Sequence, residues 1–134
     1  YYQEKNGALT FEGTEGAEKI KRLVESYVNA PPAAMLGSRV RSVKDFAKEI
    51  FFDAEGDEIP KEKMLIFELE DQTKIAVRAS GTEPKMKYYL FAQRQPSVGK
   101  FSAEQLREIK ATTGTHLESL WGWLQEDAEQ RLQA

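Results

Sequence analysis

Residues 64–92, MLIFELEDQTKIAVRASGTEPKMKYYLFA, decide the fold of this chain. Apolar residues alternate along Met64 to Glu70, Thr73 to Val77 and Met86 to Ala92, a pattern that predicts three half-buried strands. The first connection between them, Asp71-Gln72, is short enough for a hairpin. Because consecutive strands with short connections pair in opposite directions, the stretch predicts an antiparallel sheet.

The second connection, RASGTEP at residues 78–84, carries chemistry rather than packing. Arg78 can grip a phosphate through two parallel charge-assisted hydrogen bonds, and Ser80 and Thr82 offer hydroxyl donors. Gly81 has no Cβ, so a ligand oxygen can approach the backbone N–H groups there. The same residue types are also typical of an ordinary β-turn, and this alternative stays open.

Three residues complete this connection. Pro84 stiffens its exit through a fixed φ. Glu83 would repel a phosphate, so we expect its carboxylate to turn away, towards a lysine or another domain. Lys87 either faces the phosphate or is a solvated strand residue, and its position alone leaves both open. We expect Arg78 on the opposite side of its strand from Val77, within reach of a ligand.

Two further stretches predict helices. The first has Thr14 as its N-cap and stops at Asn29-Ala30-Pro31-Pro32, since residues before proline avoid the helical region. The second begins at Ser102, which forms a capping box with Gln105, and continues as one helix through Gly114. The apolar stripes are Ala17, Ile20, Leu23, Val24, Tyr27 and Val28 in the first helix, and Leu106, Ile109, Thr113, Leu117, Leu120, Leu124 and Ala128 in the second.

The remaining stretches complete the predicted order of helix, four strands and helix. Arg39 to Phe46 predicts a strand after a loop at Ala33 to Gly37, and residues 1–12 are interpreted as a linker or short extended entry. This order favours an α+β, two-layer fold in which two helices cover one face of a mainly antiparallel four-stranded sheet. The acidic stretch at residues 53–58 lacks the glycine and glutamate positions of an EF-hand and is interpreted as a solvated turn.

The composition fits one globular domain of 134 residues. With a net charge of −3, no basic face is implied and nucleic acid is not an expected partner. No apolar run approaches the ~18–20 residues that span a bilayer, so no membrane partner is expected. The absence of cysteine removes disulfides, thiol catalysis and zinc–thiolate sites, and fits a cytoplasmic protein.

The stretch RASGTEPKMKYYL resembles the phosphate-binding signature of the α-D-phosphohexomutase family, R-x-S-G-T-E-P followed by a basic, aromatic-rich strand. The resemblance runs from about Leu9 to the end of the last strand, and more weakly into the final helix. It implies a TATA-box-binding-protein-like fold. It also implies that residues 13–134 are the C-terminal, phosphate-binding domain of such an enzyme, and that residues 1–12 are the linker from the preceding domain.

The resemblance further implies a function. Members of this family, which includes phosphoglucomutase/phosphomannomutase, move a phosphoryl group between the 1- and 6-positions of a hexose. They use Mg²⁺, and a hexose 1,6-bisphosphate serves as activator and intermediate. The residues implied to hold the non-reacting phosphate of the phosphosugar are Arg78, Ser80, Gly81, Thr82 and Lys87.

The reactive parts of the family are not found in this sequence. It has no serine in the family's catalytic-loop context, no Asp-x-Asp-x-Asp loop for magnesium and no sugar-reading loop. We therefore predict that the chain is inactive alone, with no catalytic or metal-binding residue, and that its partners are the phosphosugar and the other domains of its own full-length chain. The alternatives are a stand-alone anion-binding or interaction module, and a purely structural domain.

Overall fold

The computed structural model describes residues 1–48, 51–59, 63–80, 83–96 and 98–133. The elements are β1 (Tyr2–Thr10), α1 (Gly16–Asn29), β2 (Ala34–Met35), β3 (Ser38–Asp45), β4 (Phe51–Phe52), β5 (Glu58–Ile59), β6 (Met64–Leu69), β7 (Thr73–Ala79), β8 (Lys85–Gln93) and α2 (Ala103–Gln133). Six strands form one sheet in the order β1-β8-β7-β6-β3-β2, and β4 pairs with β5 separately. All pairings are antiparallel. The predicted α+β class is confirmed.

Within the described residues, the main sheet has six strands rather than the predicted four. One extra strand, β1, lies in the stretch interpreted as a linker and pairs with β8 from Tyr2↔Gln93 to Thr10↔Lys85. The other, β2, lies in the predicted loop and joins β3 through a tight turn in which Leu36 and Gly37 both have positive φ. Whether residues 1–12 also connect to a preceding domain stays a prediction.

Strand alternation separates the two faces of the sheet. On β8, the residues from Met86 to Ala92 at every second position are buried, while Lys87 between them is exposed. The buried face packs against both helices: α2 lies against β1 and β8, and α1 lies against α2 and β8. The largest fully buried side chains of this core include Leu23, Tyr27, Phe67, Ile75, Met86, Tyr88, Leu90, Leu117, Leu120 and Leu124.

A pair of buried tyrosines lies in the layer between helix and sheet. The hydroxyls of Tyr27 on α1 and Tyr88 on β8 lie 2.7 Å apart and share a hydrogen bond. Burial raises the pKa of Tyr27 to about 12, and it raises the pKa of Tyr88 as well. Because a buried hydroxyl without a partner is costly, each tyrosine satisfies the other.

The start of α1 differs from the prediction. The helix begins at Gly16, and the cap residue is Glu15, which makes no side-chain capping bond. The prediction of Thr14 as the N-cap is therefore wrong. The local reason is a turn in which the Gly16 N–H donates to Gly13 O at 3.3 Å, so Thr14 lies inside the turn and not at the helix boundary.

The end of α1 is held from outside the helix. Its last turn contains no basic residue, and Arg131 of α2 supplies the missing charge. Arg131 Nη1 donates to Ser26 O at 3.1 Å and to Ala30 O at 2.8 Å, and its Nε donates to Asp127 at 2.7 Å. A cation at a helix C-terminus satisfies the last carbonyls and offsets the helix dipole.

The capping box and the uninterrupted course of α2 are confirmed, but the first turns of its predicted apolar stripe, at Leu106 and Ile109, are not buried. Ser102 and Gln105 exchange the two bonds of the capping box, at 2.8 and 3.1 Å, and the helix continues without interruption through Gly114. Its residues from Thr113 onwards supply the buried stripe, whereas Leu106 is 39% exposed. No helix in the described ranges is both long enough and apolar enough to cross a membrane.

Candidate functional site

The candidate site lies where β7 passes into β8. Val77 is 2% exposed in the core and Arg78 is exposed on the other side of the strand, as predicted from the alternation. Ser80 closes the base of the connecting loop, since its N–H donates to Lys85 O at 3.0 Å. The site is thus carried by two paired strands, which fix the backbone of its charged residues better than a free loop would.

The strand register brings two cations together. Arg78 lies directly opposite Lys87 in the pairing of β7 with β8, and both side chains are exposed. Directly opposite residues of an antiparallel pair have Cβ atoms about 4.5–5.5 Å apart, and like charges there repel. An anion bound between them would reverse this repulsion. The structure thus places Lys87 beside Arg78. Whether Lys87 contacts a phosphate there stays a prediction.

We call this side of the sheet the open face. On β7 and β8 it carries Lys74, Ala76, Arg78, Lys87, Tyr89 and Phe91, and in the described part of the chain both helices pack on the opposite side. Glu68 and Lys44 extend it onto β6 and β3 with an ion pair of 2.9 Å. The Lys44 bond is the main cause that lowers the pKa of Glu68.

Within the loop, the described residues form a compact turn. The Glu83 N–H donates to Ser80 Oγ at 3.3 Å. The Glu83 carboxylate lies 3.5 Å from Lys85 Nζ and is 63% exposed, which confirms that it turns to a lysine. Gly81 and Thr82 lie outside the described residues, so their predicted part in the site stays a prediction.

The exit of the loop meets the beginning of α1. The Phe11 N–H donates to Pro84 O at 2.9 Å. Gly16 is buried against the same residue: a Cβ built on it would lie 2.8 Å from Pro84 Cβ and 2.6 Å from Phe11 O. Sequence reasoning missed these contacts. The only local signal was a second glycine three residues after Gly13, where a helix former is expected.

A cavity of about 970 Å³ lies on the helix side of the same loop. Its walls are mainly apolar side chains of α1, β6 and β7, among them Ala17, Val24, Val28, Leu65 and Val77. Ser80 and Pro84 line one end of it, while Arg78 and Lys87 are not among its lining residues. Arg78 and Lys87 therefore lie outside this cavity, on the open face, while the cavity lining has lysines of its own at Lys21, Lys48 and Lys63.

The acidic turn contains three carboxylates close together. Asp53, Glu55 and Asp57 are exposed, and their oxygens lie within 4.8 Å of one another. Asp53 Oδ1 accepts the backbone N–H groups of Glu55 and Asp57, both at 2.9 Å. These bonds account for the turn. None of the three residues lines the cavity beside the loop.

Two known phosphoglucomutases are similar to this chain in sequence. A phosphoglucomutase of Staphylococcus epidermidis is 33% identical over 94 residues, which cover 66% of this chain and 17% of that protein. A phosphoglucomutase of Staphylococcus aureus is 34% identical over 86 residues, covering 60% of this chain and 15% of that protein. No family model matches. The chain thus spans about one sixth of these relatives, and the resemblance to the phosphohexomutases is confirmed.

Proposed function

We propose that this chain, a relative of the phosphohexomutases, is the C-terminal domain of a phosphoglucomutase/phosphomannomutase that interconverts hexose 1-phosphate and hexose 6-phosphate. In this proposal the domain holds the non-reacting phosphate of the substrate. The observation that carries it is the register pair of Arg78 and Lys87 on the open face, next to the loop that begins at Ser80. The names of the two relatives support the reaction class.

The reaction explains why such a holder is needed. A mutase that moves a phosphoryl group between two positions must bind its substrate in two orientations, so one phosphate has to be held without regard to the sugar beneath it. Arg78 supplies a planar fork of donors and Lys87 a point charge, which together recognise a tetrahedral dianion from one side. The chain's contribution is positioning and charge neutralisation, which dominate catalysis of phosphoryl transfer.

The remaining parts of the reaction belong to the rest of the parent chain in this proposal. Those parts are the phosphoserine that donates the phosphoryl group, the Mg²⁺ that neutralises developing charge, and the loop that reads the sugar. The hexose 1,6-bisphosphate would form and turn over between them and this domain. The 134 residues alone are accordingly expected to show no mutase activity.

The test is kinetic and uses the full-length enzyme. Arg78→Ala removes two charge-assisted bonds to a phosphate that stays bound throughout the reaction, so we expect a higher KM for glucose 1-phosphate. The loss in kcat/KM should correspond to about 3–6 kcal/mol at most. Lys87→Ala should raise KM less, because a single point charge is lost.

The matched control is Lys74→Ala. Lys74 is an exposed cation on the same strand and the same face as Arg78, four residues away, and its loss should leave KM unchanged. If Arg78→Ala and Lys74→Ala raised KM equally, the positive charge of the open face as a whole, and not a specific site at Arg78, would account for phosphate binding. If Arg78→Ala leaves the kinetics unchanged while the 134-residue chain still binds phosphate, the alternative of an anion-binding module is favoured.

A further inference from the structure

The segment between β1 and α1 crosses the exit of the candidate phosphate loop. Thr10 is the last register partner on β1 and lies opposite Lys85, the first residue of β8. Phe11 extends the contact by one residue, because its N–H donates to Pro84 O at 2.9 Å. Proline has no N–H to return. The backbone of Pro84 therefore has one hydrogen-bonding group, and the β1–α1 segment takes it.

Gly16, at the start of α1, lies next to both Pro84 and Phe11. It is the first residue of α1 and is buried. Its φ is not in the left-handed region, so glycine is not required there by backbone conformation. It is required by space: a Cβ would lie 2.6 Å from Phe11 O and 2.8 Å from Pro84 Cβ. Real Cβ atoms essentially never come so close.

Neither neighbour can yield by a simple rotation. The Phe11 oxygen belongs to the backbone, and the Pro84 Cβ belongs to a ring. A side chain at position 16 would therefore move the start of α1 or the end of the loop. Because Ser80 is bonded to both Lys85 and Glu83, a shift of Pro84 reaches the residues that flank the cation pair.

We infer that Gly16 is a positioning residue for phosphate binding, since its missing side chain lets α1 seat on Pro84 and fix the exit of the loop. This inference rests on the proposed function of the loop. Gly16 touches no substrate and acts only through Pro84 and Phe11. The close packing of Gly16 against Pro84 and Phe11 holds the loop exit in place. Ser80 and its strand neighbours are then already in position when the phosphosugar binds.

The experiment compares two alanine variants of the full-length enzyme. Gly16→Ala should raise the KM for glucose 1-phosphate about 10- to 100-fold, the size expected when a binding group is displaced by about 1 Å. Its kcat should change little, because the phosphate concerned does not react. Gly7→Ala is the matched control. A Cβ there would lie 2.5 Å from the Trp121 ring, a similarly close overlap but with a side chain of α2.

The two variants separate positioning from general destabilisation. Both should lower the melting temperature, but only Gly16→Ala should raise KM. An unchanged KM in Gly16→Ala, or an equal rise in both variants, would overturn the inference. If Gly16→Ala does not fold, Pro84→Ala replaces it. That change keeps the carbonyl that Phe11 binds but frees the loop exit, so KM should rise, and an unchanged KM would overturn the inference.

Failure of the proposed function would appear elsewhere in the same data set. If the unmodified enzyme converts neither glucose 1-phosphate nor mannose 1-phosphate, or if Arg78→Ala leaves its KM unchanged, the function is wrong and the inference about Gly16 is wrong with it. If Arg78→Ala raises KM as expected and Gly16→Ala does not, the function stands and the inference about Gly16 is wrong.

Discussion

The two faces of β7 and β8 belong to the same strands, but one face packs against the helices and the other presents exposed cations. On the helix face, Ile75, Tyr88 and Leu90 are fully buried and hold the helices to the sheet. On the open face, Arg78 and Lys87 are exposed and lie side by side. A substitution on one face should change folding stability, and a substitution on the other should change phosphate binding. Each prediction below tests this division.

The largest effect on stability is expected on the helix face of β8. Leu90→Ala removes a fully buried side chain and leaves a cavity, which typically costs about 2–5 kcal/mol of unfolding free energy. Urea unfolding measures it. Phosphate affinity of the folded fraction should stay unchanged, because Leu90 points away from Lys87. A loss of affinity equal to that of Lys87→Ala would break the division between the faces.

A smaller effect is expected at the tyrosine pair. Tyr27→Phe leaves the Tyr88 hydroxyl buried without its partner, which should cost about 1–3 kcal/mol. The double change Tyr27→Phe/Tyr88→Phe removes both hydroxyls, so its cost should be less than the sum of the two single changes. A double-mutant cycle in urea checks this. Strict additivity would mean that the 2.7 Å contact contributes nothing.

The same pair predicts a pH dependence. Burial raises the pKa of Tyr27 to about 12 from an ordinary value of 10.0. Between these two values the folded state keeps a proton that the unfolded state releases. The stability that depends on a neutral Tyr27 hydroxyl is therefore complete below pH 10 and is lost as the pH rises towards 12. Alkaline unfolding followed by circular dichroism should show this loss. The double phenylalanine variant should lose less stability over that range, and an identical loss would contradict the assignment to the tyrosines.

The smallest effect is expected from the ion pair on the open face. Lys44 and Glu68 are 44% and 19% exposed, and exposed pairs contribute about 0.2–1 kcal/mol. Because Lys44 lowers the pKa of Glu68 below 4.5, the contribution is present above that pH and is lost as the pH falls below it. Lys44→Ala should reduce this dependence in urea unfolding at two pH values, since Lys74 and Arg41 also lower the Glu68 pKa. If Lys44→Ala cost as much unfolding free energy as Leu90→Ala, the contrast in stability between the open face and the helix face would be contradicted.

The sequence predicted the strands whose buried positions alternate. Those are β6, β7 and β8, and the sequence also predicted β3 and both helices, of which the longer is marked by its capping box. It could not predict β1, because the residues of that strand that face the helices are Gln3, Lys5, Gly7 and Leu9, of which only one is a large apolar residue. Gly7 is there to admit the Trp121 ring, a long-range reason that leaves no local pattern.

The site shows the same limit. Alternation predicts that Arg78 faces away from Val77, and that is confirmed. The neighbour of Arg78 across the sheet depends on the register of two strands, which a turn-rich loop of unknown shape does not specify. Hence Lys87 could not be placed beforehand. The contact of Gly16 with Pro84 joins residues 68 positions apart in the sequence, and only the folded chain brings them together.

The most direct test of the central claim is a titration of the 134-residue chain with inorganic phosphate, followed by amide chemical shifts in NMR. We predict saturable shifts centred on Arg78, Ser80 and Lys87, which Lys74→Ala retains and Arg78→Ala abolishes. Shifts that persist unchanged in Arg78→Ala, or no saturable shift at these residues in the unmodified chain, would contradict the assignment of phosphate binding to the open face.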